Sequence, residues 1–150
     1  MSSDTTCDDG TDPRQPLARL VAIMVRLRDP VSGCEWDRVQ DFESIAPYTI
    51  EEAYEVADAI ARDAMDELRD ELGDLLLQVV FHSRIAEEAG HFALYDVIDG
   101  ICAKMERRHP HIFGDAAEGG HHIWEQIKAA ERGVKGQASA LDGIASALPA

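Results

Sequence analysis

At 150 residues the chain suits one domain with a real core. A formal net charge of -15 argues against binding the phosphate backbone of nucleic acid or an anionic membrane surface, and no segment reaches the roughly 18 apolar residues of a bilayer span. The three cysteines, Cys7, Cys34 and Cys102, are odd in number and widely spaced, which argues against a disulfide framework and suits a reducing cytoplasm.

Residues 1–14 are polar and acidic, with nothing apolar to bury; they are expected to be disordered and read as neither signal peptide nor anchor. From Pro16, the residues Leu17, Leu20, Val21, Met24 and Leu27 follow helical spacing, and Asp29-Pro30 stops the helix near Arg28. Residues 30–41 form a loop, with Ser32-Gly33 as a turn signal. Phe42 to Ala46 reads as a short helical turn, after which Pro47 opens a helix reaching about Arg62. In that helix Ile50, Ala53, Tyr54, Ala57, Ile60 and Ala61 fall on one side and the carboxylates on the other.

A connector over 63–66 permits only antiparallel neighbours. The next helix, about Asp66 to Glu88, carries one polar stripe of Glu67, Glu71, Asp74, Gln78 and His82. The rest of its surface is apolar, which places it at a bundle centre or a subunit interface. Gly73 interrupts it at a cost of about 1 kcal/mol relative to Ala, so a close packing partner, or an acidic site that a side chain would block, is expected there. Gly90 reads as a C-cap. A helix from Leu94 to about Arg108 should turn Val97, Ile98, Ile101, Cys102 and Met105 inward, and His109-Pro110 ends it. Residues 115–121 look flexible, a last short helix covers about His122 to Arg132, and a weakly apolar tail follows. No alternating strand pattern occurs, so the fold class is all-α.

The chemistry gathers between Ile50 and Asp74. Glu51, Glu52, Glu55 and Asp58 form one acidic cluster, and Glu67, Asp70, Glu71 and Asp74 a second. Glu52 with Glu55, and Glu71 with Asp74, are three residues apart and share a helix face. Antiparallel helices can bring those four carboxylates to one point, an all-oxygen set that suits Mg²⁺. Spacing leaves a second reading open: two solvated faces, the ordinary fate of acidic side chains. The second helix weighs against it, because its acids interrupt an apolar surface. Two unit charges about 4 Å apart repel by about 4 kcal/mol at an effective dielectric of 20. Converging carboxylates therefore demand a bound cation, raised pKa values, or both.

Lys104 and Arg108 lie four apart on one face with Arg107 beside them, in a chain with only 14 basic residues. That face can hold phosphate oxygens, or simply stabilise the last turn of its helix. Trp124, four residues before Lys128, is a packing residue or a base-stacking platform. His109, His111, His121 and His122 match no closed tetrahedral zinc set. No P-loop or Gly-rich dinucleotide turn is present, and no thiol carries a nucleophile signature.

Taken together, these residues resemble the MazG family of nucleoside triphosphate pyrophosphohydrolases. The family's E-E-x-x-E and later E-x-x-D stand here as Glu51-Glu52-Ala53-Tyr54-Glu55 and Glu71-Leu72-Gly73-Asp74. LRDPVSGCEWD, APYTIEEAYE, ELGDLLLQVVFHSRIAEE, KMERRHPHIFG and WEQIKAAER resemble family blocks in the right order. Cys34-Glu35-Trp36-Asp37 departs from the usual C-P-W-D. Long family members carry two copies of the domain, and HPHIFG with WEQIK is similar to the first.

The resemblance implies a helical bundle over 15–132 completed by dimerisation, between a disordered 1–14 and a tail over 133–150. It implies hydrolysis of nucleoside triphosphates to monophosphate and pyrophosphate in the cytoplasm, as nucleotide-pool housecleaning. By the same token Glu52, Glu55, Glu71 and Asp74 are ligands for Mg²⁺ or Mn²⁺, and Glu51 and Glu52 are catalytic, Glu51 by orienting or deprotonating water. Lys104, Arg107, Arg108, Trp124, Lys128 and Trp36 are substrate-binding. The competing reading is a catalytically weak nucleotide-binding or dimerisation module of a larger MazG-type protein.

Overall fold

The computed structural model describes residues 15–115 and 119–134. The expected N-terminal disorder, most of the C-terminal tail and part of the expected flexible stretch at 115–121 lie outside these. The described residues form α1 (Gln15–Leu27), a 3-10 turn (Asp37–Val39), α2 (Phe42–Ala61), α3 (Met65–Glu88), α4 (Leu94–Arg108), the single turn α5 (Pro110–Phe113) and α6 (His121–Val134). No strand occurs among them, in keeping with the all-α expectation. The chain divides into two compact units, Met1–Val97 and Ile98–Ala150, with the division inside α4.

In the first unit α2 packs mainly against α3, and α1 against α3. Met24, Ile45, Ala59, Val80, Phe81, Ile85, Ala86 and Leu94 are its buried apolar residues. The Asp29 side chain accepts from the backbone N–H of Val31 and Ser32 at 2.9 and 2.7 Å, closing the turn after α1. Gly33 is required there: a Cβ would lie 2.4 Å from the Asp29 carbonyl oxygen and 2.5 Å from that of Leu27. Arg28 then holds the loop down. Its guanidinium donates to the carbonyls of Asp37 and Gln40 at 2.7 and 3.0 Å, pairs with Glu88 at 2.8 Å, and lies over the Phe81 ring.

Several expectations are corrected. Phe42 to Ala46 is not a separate turn, and Pro47 does not open a helix: it is the sixth residue of one continuous helix. The reason is a capping box. Asp41 accepts from the Ser44 N–H, while the Asp41 N–H donates to the Ser44 hydroxyl, which fixes the helix start before Pro47 is reached. His109-Pro110 does end α4, at Arg108 as expected; what the sequence left out is that Pro110 then starts the single turn α5 as its first residue. Nothing among the described residues packs near Gly73: a Cβ there meets no atom within 4 Å.

The apolar faces differ as well. Ile50, Tyr54, Ala57 and Ala61 of α2 point outward; Leu72, Leu76 and Val79 of α3 are exposed too, which corrects the bundle-centre alternative for that helix and not the subunit-interface one. In α4, Val97, Ile101 and Cys102 are exposed rather than inward. The cause is geometric. α2 turns its other side, with Ile45, Thr49, Glu52, Val56 and Ala59, toward α3, so its most apolar stripe lies well round the helix from that contact.

Candidate active site

The carboxylates sit on the first unit's antiparallel pair, α2 and α3. The short turn between these helices is held by Arg62, which donates to Asp58 at 2.8 Å and also to Glu67. Two of the eight acids are thereby accounted for structurally. Asp63 adopts a left-handed conformation with φ of 53° to make the reversal.

About two to three turns from the reversal, Glu52, Glu71 and Asp74 converge: a carboxylate oxygen from each lies within 4.8 Å of the other two. None of the three makes an ion pair with a Lys or Arg among the described residues. The electrostatic consequence is direct. Partial burial, then the charges of Asp74 and Glu71, push the Glu52 carboxyl above its ordinary range. Burial followed by Asp74 and Glu55 does the same to Glu71. A cluster that raises its own pKa values and holds no internal counter-charge fits a hard divalent cation, whose preferred ligands are carboxylate oxygens. Glu55 lies outside the converging set, exposed, yet near enough to raise both Glu52 and Glu71. Glu51 is exposed on the adjoining face of α2 and adds to the field at Glu52.

Below the acids the seam between α2 and α3 continues as polar contact. Thr49 Oγ1 and His82 Nε2 are 2.9 Å apart, and the His82 ring stacks on Phe42. Burial lowers the His82 pKa, favouring the neutral ring. Trp36 packs edge-on against Tyr48 and Phe81, with centroids at 5.8 and 6.4 Å. Reasoning from the sequence did not single out Arg28, Thr49 or His82 as site neighbours. The polar stripe on α3 pointed to His82; Arg28 left no signal because its role depends on Glu88, sixty residues away.

The cationic residues gather in the second unit. Arg107 Nε donates to Glu131 at 2.8 Å, and Arg108 pairs with the other oxygen of the same carboxylate at 2.8 Å. These bonds, Arg108's first, hold the Glu131 carboxyl down to about 2. Lys128 lies 4.2 Å from the Trp124 ring centroid, with Arg108 over the same ring at 5.7 Å. Lys104 makes no ion pair among the described residues. Arg108, His109, His111, His121 and Trp124 line an open cavity of about 250 Å³. Glu131 is the partner that the sequence did not reveal; it ties the two arginines to α6.

The fold and the site thus define an all-helical protein whose paired acidic helices gather unneutralised carboxylates. Residues 40–113 match the model of the MazG nucleotide pyrophosphohydrolase domain, a segment containing the acidic helices and the Lys104–Arg108 cluster. The chain belongs to the MazG family. It is 57% identical over 136 residues to the nucleoside triphosphate pyrophosphohydrolase of Escherichia coli K12, covering 88% of this chain and 52% of that protein. It is 50% identical over 131 residues to the Thermotoga maritima nucleoside triphosphate pyrophosphohydrolase/pyrophosphatase MazG, covering 87% and 51%. The Mycolicibacterium smegmatis nucleoside triphosphate pyrophosphohydrolase is 41% identical over 143 residues, covering 92% and 43%. The chain therefore spans about half the length of the curated relatives it matches.

Proposed function

We propose that the chain hydrolyses nucleoside triphosphates to nucleoside monophosphate and pyrophosphate, with Mg²⁺, or Mn²⁺, held by Glu52, Glu71 and Asp74 and completed by Glu55. The observation that carries the proposal is the convergence of three carboxylates with no Lys or Arg paired to them among the described residues, in a chain so similar to proteins named for this reaction. The cation, when bound, supplies Lewis-acid neutralisation of phosphoryl oxygens. The chain's own residues do the rest. Water attacks the α-phosphorus, the bond from that phosphorus to the bridging oxygen breaks, and pyrophosphate leaves. Glu51, exposed beside Glu52, orients the water and takes its proton. Lys104, Arg107, Arg108 and Lys128 bind phosphate oxygens, while Trp124 and Trp36 offer faces to the nucleoside.

The functional form in this reading is a homodimer in the cytoplasm. Support for the dimer comes from the outward apolar stripes: Leu72 and Leu76 of α3 are 49% and 44% exposed, and Tyr54 of α2 is 56% exposed. Leu72 and Leu76, four residues apart, share one face of α3, and exposed apolar faces of this kind mark association surfaces. Among the described residues no helix is long and apolar enough to cross a membrane, and Cys34 and Cys102 are free thiols, as a reducing compartment favours.

The test is to incubate the chain with a panel of nucleoside triphosphates and Mg²⁺ and to measure pyrophosphate release. Glu71→Gln should abolish release while the oligomeric state, read by light scattering, is retained. A folded protein that binds nucleotide yet releases no pyrophosphate with any base would instead establish a binding or dimerisation module.

A further inference from the structure

Gln78 is a buried amide whose side-chain oxygen lacks a partner. The residue is only 8% exposed, and its Oε1 accepts no hydrogen bond among the described residues. Buried carbonyl oxygens are nearly always satisfied, so such an oxygen asks for a donor. Its place in the fold says where the donor must stand. Along α3, Gln78 lies one turn after Asp74, two turns after Glu71 and one turn before His82, and residues at these steps share a face. Both flanking residues meet α2: Asp74 meets Glu52, and His82 meets Thr49. Gln78 therefore occupies the seam between the carboxylate cluster and the Thr49–His82 hydrogen bond.

The polar groups on either side do not supply the hydrogen. The Thr49 hydroxyl donates to the Ile45 carbonyl at 3.4 Å and so accepts from the His82 Nε2–H at 2.9 Å, which leaves the neutral ring no second N–H; ionised carboxylates accept only. The donor has to arrive with whatever the carboxylates bind. A small divalent cation held by few carboxylates keeps several of its waters, and each is a polarised donor. We infer that Gln78 is a positioning residue for the cation: its Oε1 accepts from a water that the cation carries, fixing the cation's outer shell to α3. The inference rests on the reading that Glu52, Glu71 and Asp74 hold a divalent cation.

Mg²⁺ titration calorimetry and thermal unfolding with and without Mg²⁺, on the full chain, test it. Gln78→Leu removes the unsatisfied oxygen, so its melting temperature without cation should be equal to or above that of the parent. Its Mg²⁺ affinity should fall by roughly 10–100-fold, the usual effect of losing an outer partner, and the cation-induced rise in melting temperature should shrink. Gln78→Glu keeps an acceptor and should keep Mg²⁺ affinity within a few-fold, while melting lower without cation. These opposite signs distinguish positioning from packing, because a packing defect lowers the melting temperature in both conditions and would overturn the inference. Unchanged Mg²⁺ affinity in Gln78→Leu, alongside abolished binding in Glu71→Gln, would overturn the role of Gln78 and leave the cation site standing. Absence of Mg²⁺ binding in the parent would remove both. Should the Leu variant not fold, Gln78→Met, unbranched and without an acceptor, provides the same comparison.

Discussion

Replacing Arg28 by Met should loosen the loop that carries Trp36 and cost a large share of the chain's stability. The Arg28 side chain is 8% exposed, and its guanidinium serves three partners. Two are backbone carbonyls, of Asp37 and Gln40, that Met leaves without a donor; at about 1.5 kcal/mol for each charge-assisted bond, this amounts to about 3 kcal/mol. The third is Glu88, whose side chain is 31% exposed and still has Arg84 at 3.5 Å, so losing that pair adds no more than about 1 kcal/mol. The total of about 3–4 kcal/mol corresponds to a fall in melting temperature of roughly 6–16 °C for a chain of this size. Arg28→Lys should fall between, because an ammonium cannot reproduce the planar fork. Urea unfolding measures the stability. Since the chain has two tryptophans, a Trp124→Phe background lets Trp36 report the loop, its emission shifting to the red as it leaves Tyr48 and Phe81. A loss below about 1 kcal/mol, with unchanged Trp36 emission, would refute the idea that Arg28 anchors the loop.

Gly33→Ala should be among the most damaging single-methyl changes, because the new Cβ would lie 2.4 Å from the Asp29 carbonyl oxygen; thermal unfolding should show a loss of at least about 1–3 kcal/mol, the usual range for such overpacking. Gly73→Ala separates two environments for α3. In a monomer, with no atom within 4 Å of the new Cβ, it should stabilise by up to about 1 kcal/mol, whereas a second copy seated on that face would turn the change into a loss that deepens with protein concentration. Glu131 gives a pH signature. Its carboxyl is depressed to about 2 by Arg108 and Arg107, so its contribution is complete above the ordinary carboxylate pKa and fades as pH falls through about 2. Glu131→Gln should therefore melt below the parent at neutral pH, with the gap closing on acidification; a gap independent of pH would show that the two arginines do not stabilise the fold through this charge.

Local sequence was enough to place the helices. Periodicity and caps act over a few residues, so α1, α3 and α4 could be read from Leu17 to Leu27, from the stripe Glu67 to His82, and from Leu94 to Arg108. The same locality made Glu52, Glu71 and Asp74 legible, because helical spacing and a short reversal suffice to bring two acidic faces together. Sequence misjudged α2 where two local signals competed: Pro47 suggested a start that the Asp41–Ser44 capping box had already fixed. What only the tertiary structure decided was which face of each helix meets which neighbour. α2 gives its Thr49–Glu52 side to α3 and leaves Ile50 and Tyr54 outside, a choice made by the helix pair as a whole and absent from either periodicity. The same holds for Arg28 with Glu88, for Arg107 and Arg108 with Glu131, and for the orphaned oxygen of Gln78: each depends on groups brought together from distant turns of the chain, where packing sets the distance.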